Sequence, residues 1–485
     1  MTERRSGGDQ RADAERTSGD RLVTLAPELA RRSSDRELCD LERYFQPTAV
    51  LLTDRLPRAE RDRLETTLSV PVVAATEPAT VPLDETVLLN CPTVADARDR
   101  LARSRDAPIV AMAGFVRQTH DPHTFERTVD GLETYHDLVG GRSDVHAHLT
   151  PNLPAGQAIR DGPVPIHGAG FVDGTDGTDG QRIPCVGLGP SPTVEELRPG
   201  RLGLGAIHDV GWKLRRRLEE RGWTTRADVL SMDPVELLDL EGVGPYYAAR
   251  LCAGAHAKEH DEVVRFQPDP IAADRRVYVD IETDSLTPQF IWQIGLYDEA
   301  TGTYRSFVND ERPGAAGANP EGSVVADFAA WVAEAAPDAT FVAWYGSQFD
   351  FPHLDEFVAT HAEPAHRRAW ERAERFDLLC EFVRTGVAHP ARSNRLEDVA
   401  ARLGYERAEP GLSGEAAAQA YVAWRNGQAE MEWERWIAYC RDDVLATKHV
   451  YDAIADAPLL VDTRELERAY RGGTVETDLG GWARP

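Results

Sequence analysis

The sequence is poor in lysine and cysteine and has no long hydrophobic run. Lysine occurs at three of the 485 positions. The six cysteines are scattered without a Cys-x-x-Cys pair, which disfavours a disulfide scaffold or a zinc site and is typical of a reducing cytosol. No apolar run approaches the ~20 residues that span a bilayer, and the polar first 20 residues lack the apolar core of a secretory signal. These absences predict a cytoplasmic protein without a membrane partner.

The formal net charge of −27 at first argues against a nucleic-acid partner. However, 51 of the 54 basic residues are arginine, because only three are lysine. Heavy use of Asp and Glu with almost no Lys resembles the composition of proteins from salt-accumulating halophilic archaea. The negative charge is therefore interpreted as an adaptation to solvent, and it does not decide the ligand.

The length predicts two to four domains, because one ordinary core does not extend over 485 residues. Short apolar runs alternate with amphipathic stretches over residues 21–185, which predicts an α/β domain with a mainly parallel sheet and no assignable function. The remaining predicted segments are a disordered tail (1–20), an all-α module (186–260), a second α/β domain (275–455) and a C-terminal tail (456–485).

Two helix–turn–helix units occur in tandem within residues 202–256. In the second unit, Gly242 and Gly244 allow a tight hairpin that turns backbone N–H groups toward a phosphate at the start of the next helix. In the first unit, Gly211 stands at one of these positions and Asp209 at the other, so this unit is interpreted as degraded, with packing as its alternative role.

The charge of this region also differs from that of the whole chain. Residues 201–258 carry nine basic and eight acidic residues, a balance of +1, which favours a surface that meets phosphate. The second unit resembles the helix-hairpin-helix motif, and the tandem resembles the (HhH)₂ domain of DNA repair proteins. A hairpin used for protein contacts is the alternative.

In the stretch RVYVDIETDSL, which begins at Arg276, two acids interleave with β-forming residues. Strand residues two apart point the same way, so Asp280 and Glu282 project from one face. Neighbouring carboxylates repel each other unless a cation lies between them, and Mg²⁺ prefers such oxygen ligands. A strand that simply has an acidic polar face is the alternative.

Further candidates follow downstream. Asp350 comes just after a predicted strand over residues 340–345. Tyr439 and Asp443 are spaced i, i+4 on the last long predicted helix and so share one face. Another helix is predicted over residues 376–384.

These residues occur in a recognisable order. Asp280-x-Glu282, Phe349-Asp350 and Tyr439-x-x-x-Asp443 resemble the three motifs of the DEDD superfamily of 3′–5′ exonucleases, in its tyrosine variant (DEDDy). Together with the preceding helix-hairpin-helix, they resemble the prokaryotic YprB-like branch. The resemblance covers about residues 275–455. The second motif usually begins with asparagine, and the tyrosine found there, Tyr345, affects substrate positioning rather than metal binding.

The resemblance implies a ribonuclease H-like mixed sheet flanked by helices. It also implies two Mg²⁺ or Mn²⁺ ions, and it assigns their ligands to Asp280, Glu282, Asp350 and Asp443. Tyr439 would orient the attacking water, Leu286 would wedge against the terminal base, and Phe349 would support the metal-bearing loop. For Leu286 and Phe349, a role in the core is the alternative.

The leading hypothesis is a metal-dependent 3′–5′ exonuclease that acts on DNA ends or single strands, in repair or end processing. Three alternatives stay open: an RNA exonuclease, a structure-selective endonuclease on the same fold, and a non-catalytic nucleic-acid-binding scaffold. Protein partners are not predicted.

Overall fold

The computed structural model describes residues 19–104, 108–113, 132–142, 144–149, 182–188, 194–268, 271, 273–312, 320–409 and 412–472. Residues 1–18 of the predicted disordered tail therefore lie outside the described residues. The described chain divides into two compact units, one ending at Leu218 and the other beginning at Glu219. In the part of the chain that is described, no helix is both long and apolar enough to cross a membrane.

The first unit is an α/β structure with two sheets. Its strands are β1 (Arg21–Leu25), β2 (Ala49–Leu52), β3 (Val72–Ala74), β4 (Ala79–Pro82), β5 (Val87–Asn90), β6 (Ile109–Ala113), β7 (Val145–Leu149), β8 (Ile183–Gly187) and β9 (Val194–Leu197). Its helices are α1 (Pro27–Arg32), α2 (Asp35–Phe45), α3 (Arg58–Thr67), α4 (Val94–Arg103) and α5 (Leu132–Val139).

The sheets have the orders β3-β2-β1-β8-β9 and β4-β5-β6-β7. Both are mixed: β1, β2 and β3 run parallel, as do β5, β6 and β7, while β4, β8 and β9 pair antiparallel. One core, which includes Leu51, Leu88 and Val110, contains residues of both sheets, and further cores join each sheet to its helices. Four of the seven pairings among the described strands are parallel, in line with the prediction of a mainly parallel sheet. The strands form two sheets where one was predicted, because a local apolar pattern does not specify strand partners.

The helical region that follows contains α6 (Trp212–Glu220), α7 (Arg226–Ser231) and α8 (Pro245–His260), with a 3₁₀ segment over Pro234–Asp239. The boundary between the compact units falls within α6. Thr225 caps α7 through a capping box with Asp228. The all-α module predicted over residues 186–260 was wrong at its start, because β9 (Val194–Leu197) pairs with β8 in the sheet of the first unit; helices and 3₁₀ segments follow over residues 199–260.

The second unit is organised around one five-stranded sheet of order β13-β12-β11-β14-β15. Its strands are β10 (Val264–Arg265), β11 (Arg276–Thr283), β12 (Ile291–Asp298), β13 (Thr303–Val308), β14 (Thr340–Ala343), β15 (Glu374–Asp377) and β16 (Val387–Ala388). Its remaining helices are α9 (Pro320–Ala335), α10 (Asp350–His361), α11 (Pro364–Arg372), α12 (Arg384–Gly386), α13 (Leu396–Arg402), α14 (Gly414–Arg425), α15 (Trp433–Ala455) and α16 (Thr463–Gly472).

The central strand β11 pairs antiparallel with β12 and parallel with β14. One apolar core joins the sheet to α9, α10 and α11, and another joins it to α13, α15 and a π-helical turn over Leu378–Val383. A mixed sheet flanked by helices was the predicted fold class, and it is confirmed. The predicted helix over residues 376–384 was wrong at its start, because pairing with β14 makes residues 374–377 a strand. The segment predicted as a C-terminal tail contains α16.

Candidate active site

The central strand β11 carries the first two acids. The Glu282 side chain is buried and that of Asp280 is half-buried. Carboxylate oxygens of both residues and the sulfur of Cys440 all lie within 4.8 Å of one another. Strand alternation therefore places both acids on one face, as the sequence predicts.

Asp350 lies at the first position of α10 and is buried. The turn before it is tight: the Phe351 amide donates to the Gly346 carbonyl at 2.8 Å, and a Cβ on Gly346 would lie 2.7 Å from the Phe351 ring. Burial raises the pKa of Asp350, and the backbone of Ile281 opposes this rise. Ile281 stands between Asp280 and Glu282, so the third acid lies close to the first two.

Helix α15 contributes Tyr439 and Asp443, one turn apart, and both side chains are largely buried. Burial raises the pKa of Asp443, and the nearby Tyr439 hydroxyl opposes this rise. Burial raises the pKa of the Tyr439 phenol far above its usual range, and the negative charges of Asp443 and Glu282 raise it further. The phenol therefore keeps its proton. The structure thus brings together all five residues that the sequence selected.

Arg407, which sequence reasoning missed, also enters this site. It lies in the loop between α13 and α14, and its guanidinium forms an ion pair with Asp443. Asp442 fixes this loop by accepting bonds from the Tyr405 hydroxyl at 3.2 Å and the Glu409 amide at 3.0 Å. Neighbouring acids on α15 therefore have different tasks: Asp442 holds the loop, and Asp443 receives its arginine.

The electrostatics of the site are dominated by burial and mutual repulsion. Burial, followed by the charges of Asp443 and Asp350, raises the pKa of both Asp280 and Glu282 well above their usual ranges. Burial raises the pKa of Asp350 to about 7, against the opposing effect of its backbone hydrogen bonds. For Asp443, burial raises the pKa and Arg407 opposes it.

Glu282 and Asp350, which are buried, and Asp280 and Asp443, which are partly buried, are oxygen donors that fit divalent cations such as Mg²⁺ or Mn²⁺, and the ion-paired Arg407 lies among them. A bound cation supplies the positive charge that the carboxylates otherwise lack. The Cys440 sulfur belongs to the same cluster and lies 3.6 Å from an Asp280 carboxylate oxygen. Burial raises the pKa of its thiol well above the usual range, and Mg²⁺ prefers the oxygen ligands beside it.

Gly295 on β12, which pairs with Asp280, makes this arrangement possible. A Cβ at this position would lie 2.6 Å from the Cys440 sulfur and 2.8 Å from the Tyr304 hydroxyl. The absence of a side chain therefore lets α15 approach the strand directly behind Asp280.

The two substrate candidates of the catalytic domain differ in exposure. Leu286, in the loop after β11, is 87% exposed and thus available to a ligand. Phe349 is partly buried against the core of the sheet, with its ring 4.9 Å from that of His353. Its position fits support of the turn before Asp350 better than contact with substrate.

The two predicted hairpins share one backbone conformation. Asp209 (φ 66°) and Gly242 (φ 81°) are both left-handed. In each hairpin the next residue donates to a carbonyl three positions earlier, at 3.2 Å from Val210 and 3.0 Å from Val243. A Cβ on Gly244 would meet no atom within 4 Å, so the space in front of it is open. The aspartate in the first hairpin therefore leaves the turn intact.

A comparison with protein families supports the ribonuclease H-like fold of the second unit. Residues 277–455 match the RNase_H superfamily, so this region is a ribonuclease H-like domain. No curated protein matches the chain. The chain is also similar to two solved structures of Escherichia coli exonuclease I, a zinc-ion-bound form in complex with single-stranded DNA and a complex with a dA16 oligonucleotide.

The first of these structures shares 16% identity, covers 37% of this chain and 42% of that chain, and has a TM-score of 0.23. The second shares 17% identity, covers 34% of this chain and 42% of that chain, and has a TM-score of 0.20. The chain thus spans less than half the length of both.

Proposed function

We propose that residues 275–455 form a metal-dependent 3′–5′ exonuclease that hydrolyses phosphodiester bonds, with DNA as its substrate. The observation that carries the proposal is the convergence of four acids, two buried and two partly buried, from β11, α10 and α15 at one site. Such a cluster of like charges destabilises the protein on its own, so its presence is explained by a ligand that supplies positive charge.

Asp280, Glu282, Asp350 and Asp443 would hold two Mg²⁺ or Mn²⁺ ions. When bound, ions in such a site activate the attacking water and stabilise the leaving oxygen. The protonated Tyr439 hydroxyl cannot serve as a base, so its role is to orient the water by hydrogen bonding. Leu286 is exposed where it can pack against the terminal base.

The hairpin module would bind the nucleic acid outside the catalytic site. The backbone amides of Gly244 and of the residues after Pro245 in the first turn of α8 are suited to phosphate, and they remain donors at any pH. None of the catalytic residues distinguishes deoxyribose from ribose. DNA is favoured over RNA only because this module resembles the (HhH)₂ domain of DNA repair proteins.

Cleavage of 5′-labelled and 3′-labelled DNA and RNA strands, with titrated Mn²⁺, tests the proposal. We expect stepwise release of single nucleotides from the 3′ end of DNA, none after chelation, and none from an Asp280→Asn protein. Asp284→Asn is the matched control, because Asp284 lies near the same strand but accepts the Gln289 amide.

Other results of the cleavage experiment would each support one of the alternative functions. Internal cuts would indicate an endonuclease, and preferential cleavage of RNA would change the substrate. Binding without cleavage would indicate a scaffold. Unchanged cleavage by a purified Asp280→Asn protein would overturn the assignment of the site.

A further inference from the structure

Tyr345, at the start of the turn that leads to Asp350, combines an unfavourable backbone with an exposed ring. Its φ of 63° lies in the left-handed region, which bulky residues rarely adopt. The side chain is nevertheless 41% exposed, so burial of the ring does not explain the residue. Unfavourable backbone conformations persist where the surroundings impose them, and they cluster at functional sites.

The surroundings that impose this conformation are visible. Gly346 leaves no room for a side chain, since a Cβ would lie 2.7 Å from both Ala343 and Phe351. Ser347 donates to the Asp377 carboxylate through its amide at 2.9 Å and its hydroxyl at 2.6 Å. The turn is therefore held firmly, and the Tyr345 ring stands at its outer side.

Arg384, the first residue of α12, lies over this ring. The centre of its exposed guanidinium is 5.4 Å from the ring centroid. Asp377 also begins the π-helical turn before Arg384 by accepting the Cys380 amide at 2.9 Å. One buried carboxylate thus positions both partners of the cation–π pair.

The same arginine links the pair to the hairpin module. The Tyr246 hydroxyl lies 3.5 Å from the Arg384 carbonyl oxygen, and the Tyr246 ring packs 5.7 Å from that of the buried Phe266. Tyr247 follows, 49% exposed, with its ring 5.6 Å from that of Tyr246. These tyrosines stand in the first turn of α8, directly after Gly244.

We infer that Tyr345, Arg384 and Tyr247 form a stacking track that carries a single strand of nucleic acid between the Gly242–Gly244 hairpin and the acidic site. The inference rests on the proposed function and adds how its substrate is held. Exposed aromatic rings stack on bases of any sequence, and an arginine among them contacts both bases and phosphates. Tyr246 is a positioning residue, because its ring is anchored and its hydroxyl faces the Arg384 backbone.

Fluorescence anisotropy in EDTA, where hydrolysis does not interfere, tests the track. The probes are an oligothymidylate of about 20 nucleotides and an abasic strand of equal length. For the oligothymidylate, Tyr345→Asn and Tyr247→Ala are each expected to raise the Kd by about 10-fold to 100-fold, because that is the range for removing one base–aromatic stack. The Kd for the abasic strand should stay within about 2-fold, since it offers no base to stack.

Three controls accompany these variants. Tyr345→Phe keeps the ring and should bind as wild type, and Arg372→Ala removes an exposed arginine of α11 away from the track. Asparagine tolerates the left-handed region, so Tyr345→Asn should unfold at a temperature no lower than wild type. Loss of affinity in that variant is then not a consequence of unfolding.

Unchanged binding of the oligothymidylate by Tyr345→Asn and Tyr247→Ala would overturn the track. An equal loss of affinity for the abasic strand would overturn the track as well, because the side chains would then contribute to binding without stacking on bases. A wild-type protein that binds with these preferences but does not cleave in Mn²⁺ would refute the proposed function and leave the track standing.

Discussion

The guanidinium of Arg407 forms an ion pair with the carboxylate of Asp443, and the two side chains are only 13% and 14% exposed. It lies where the acidic residues of β11 and α15 converge, and its positive charge opposes the rise that burial and the other acids cause in the pKa of Glu282. In the metal-free protein it therefore offsets part of the repulsion among the acids. When a cation binds, Asp443 has two competing positive partners.

This competition predicts opposite effects of Arg407→Gln on metal binding and on stability. Loss of the positive charge should tighten calorimetric Mn²⁺ binding. It should also destabilise the metal-free protein by about 1–3 kcal/mol, less than the full effect of an unpaired buried charge because Asp443 can take up a proton. Arg435→Gln, which changes an exposed arginine of α15, is the control. Weaker Mn²⁺ binding by Arg407→Gln would show that the arginine supports the metal site.

Tyr439 and Asp443 should fail in different ways, although they share one face of α15. Tyr439→Phe keeps the ring and loses one hydrogen bond to the water, so single-turnover cleavage should fall by about 10²-fold to 10⁴-fold while Mn²⁺ affinity is kept. Asp443→Ala should lose an ion and nearly all activity. Wild-type cleavage by Tyr439→Phe would reduce the tyrosine to a core residue.

The stability of the metal-free protein should depend on pH through the acids. A carboxyl whose pKa is raised by folding binds more protons in the folded protein than in the unfolded one. Its contribution to stability is therefore fully present below the pKa that it has in the unfolded protein, about 4. This contribution is lost as the pH rises through the pKa of the folded protein. For Asp350, with a folded pKa of about 7, the loss is at most about 4 kcal/mol.

Denaturant unfolding at about pH 4 and about pH 8, in concentrated salt with EDTA, measures this effect. Asp350→Asn should unfold at higher denaturant than wild type at the upper pH and show a smaller difference between the two. Saturating Mn²⁺ should reverse the order, because only the wild type gains the binding energy of the full ligand set. A metal-free wild type that becomes more stable with rising pH would contradict the account.

Gly295→Ala should lower both stability and activity by displacing α15 from β12. The added methyl group meets the Cys440 sulfur at 2.6 Å, and overpacking of this kind costs about 1–3 kcal/mol. Because Cys440 stands between Tyr439 and Asp443 on α15, cleavage should fall together with stability. Gly200→Ala is the control, since its added methyl group would meet no atom within 4 Å. Equal stability of the two variants would mean that α15 can shift to accommodate the added methyl group without loss of stability.

Gly244→Val should weaken the binding of long duplex DNA without affecting stability. The glycine has an ordinary φ and open space around it, so the valine is tolerated by the fold but blocks close approach of a phosphate. Gly211→Val, in equally open space, tests the first hairpin in the same way. Duplex binding at wild-type strength by Gly244→Val would leave protein contacts as the role of this hairpin.

Short-range periodicity made the acidic site predictable from the sequence alone. Alternation along a strand places Asp280 and Glu282 on one face, and a spacing of four residues does the same for Tyr439 and Asp443 on a helix. Glycines at a helix start likewise indicated the hairpin at Gly242. These patterns are local, because side-chain direction follows from the backbone geometry of a single element.

Other features depended on packing between distant segments. Arg407 reaches Asp443 because Asp442 holds its loop, and the Cys440 thiol reaches Asp280 because Gly295 lacks a side chain. Residues 374–377 form a strand because β14 lies beside them, and the left-handed Tyr345 is imposed by the turn after it. Such contacts join residues far apart in the chain, so their energies depend on the assembled fold and no local pattern records them.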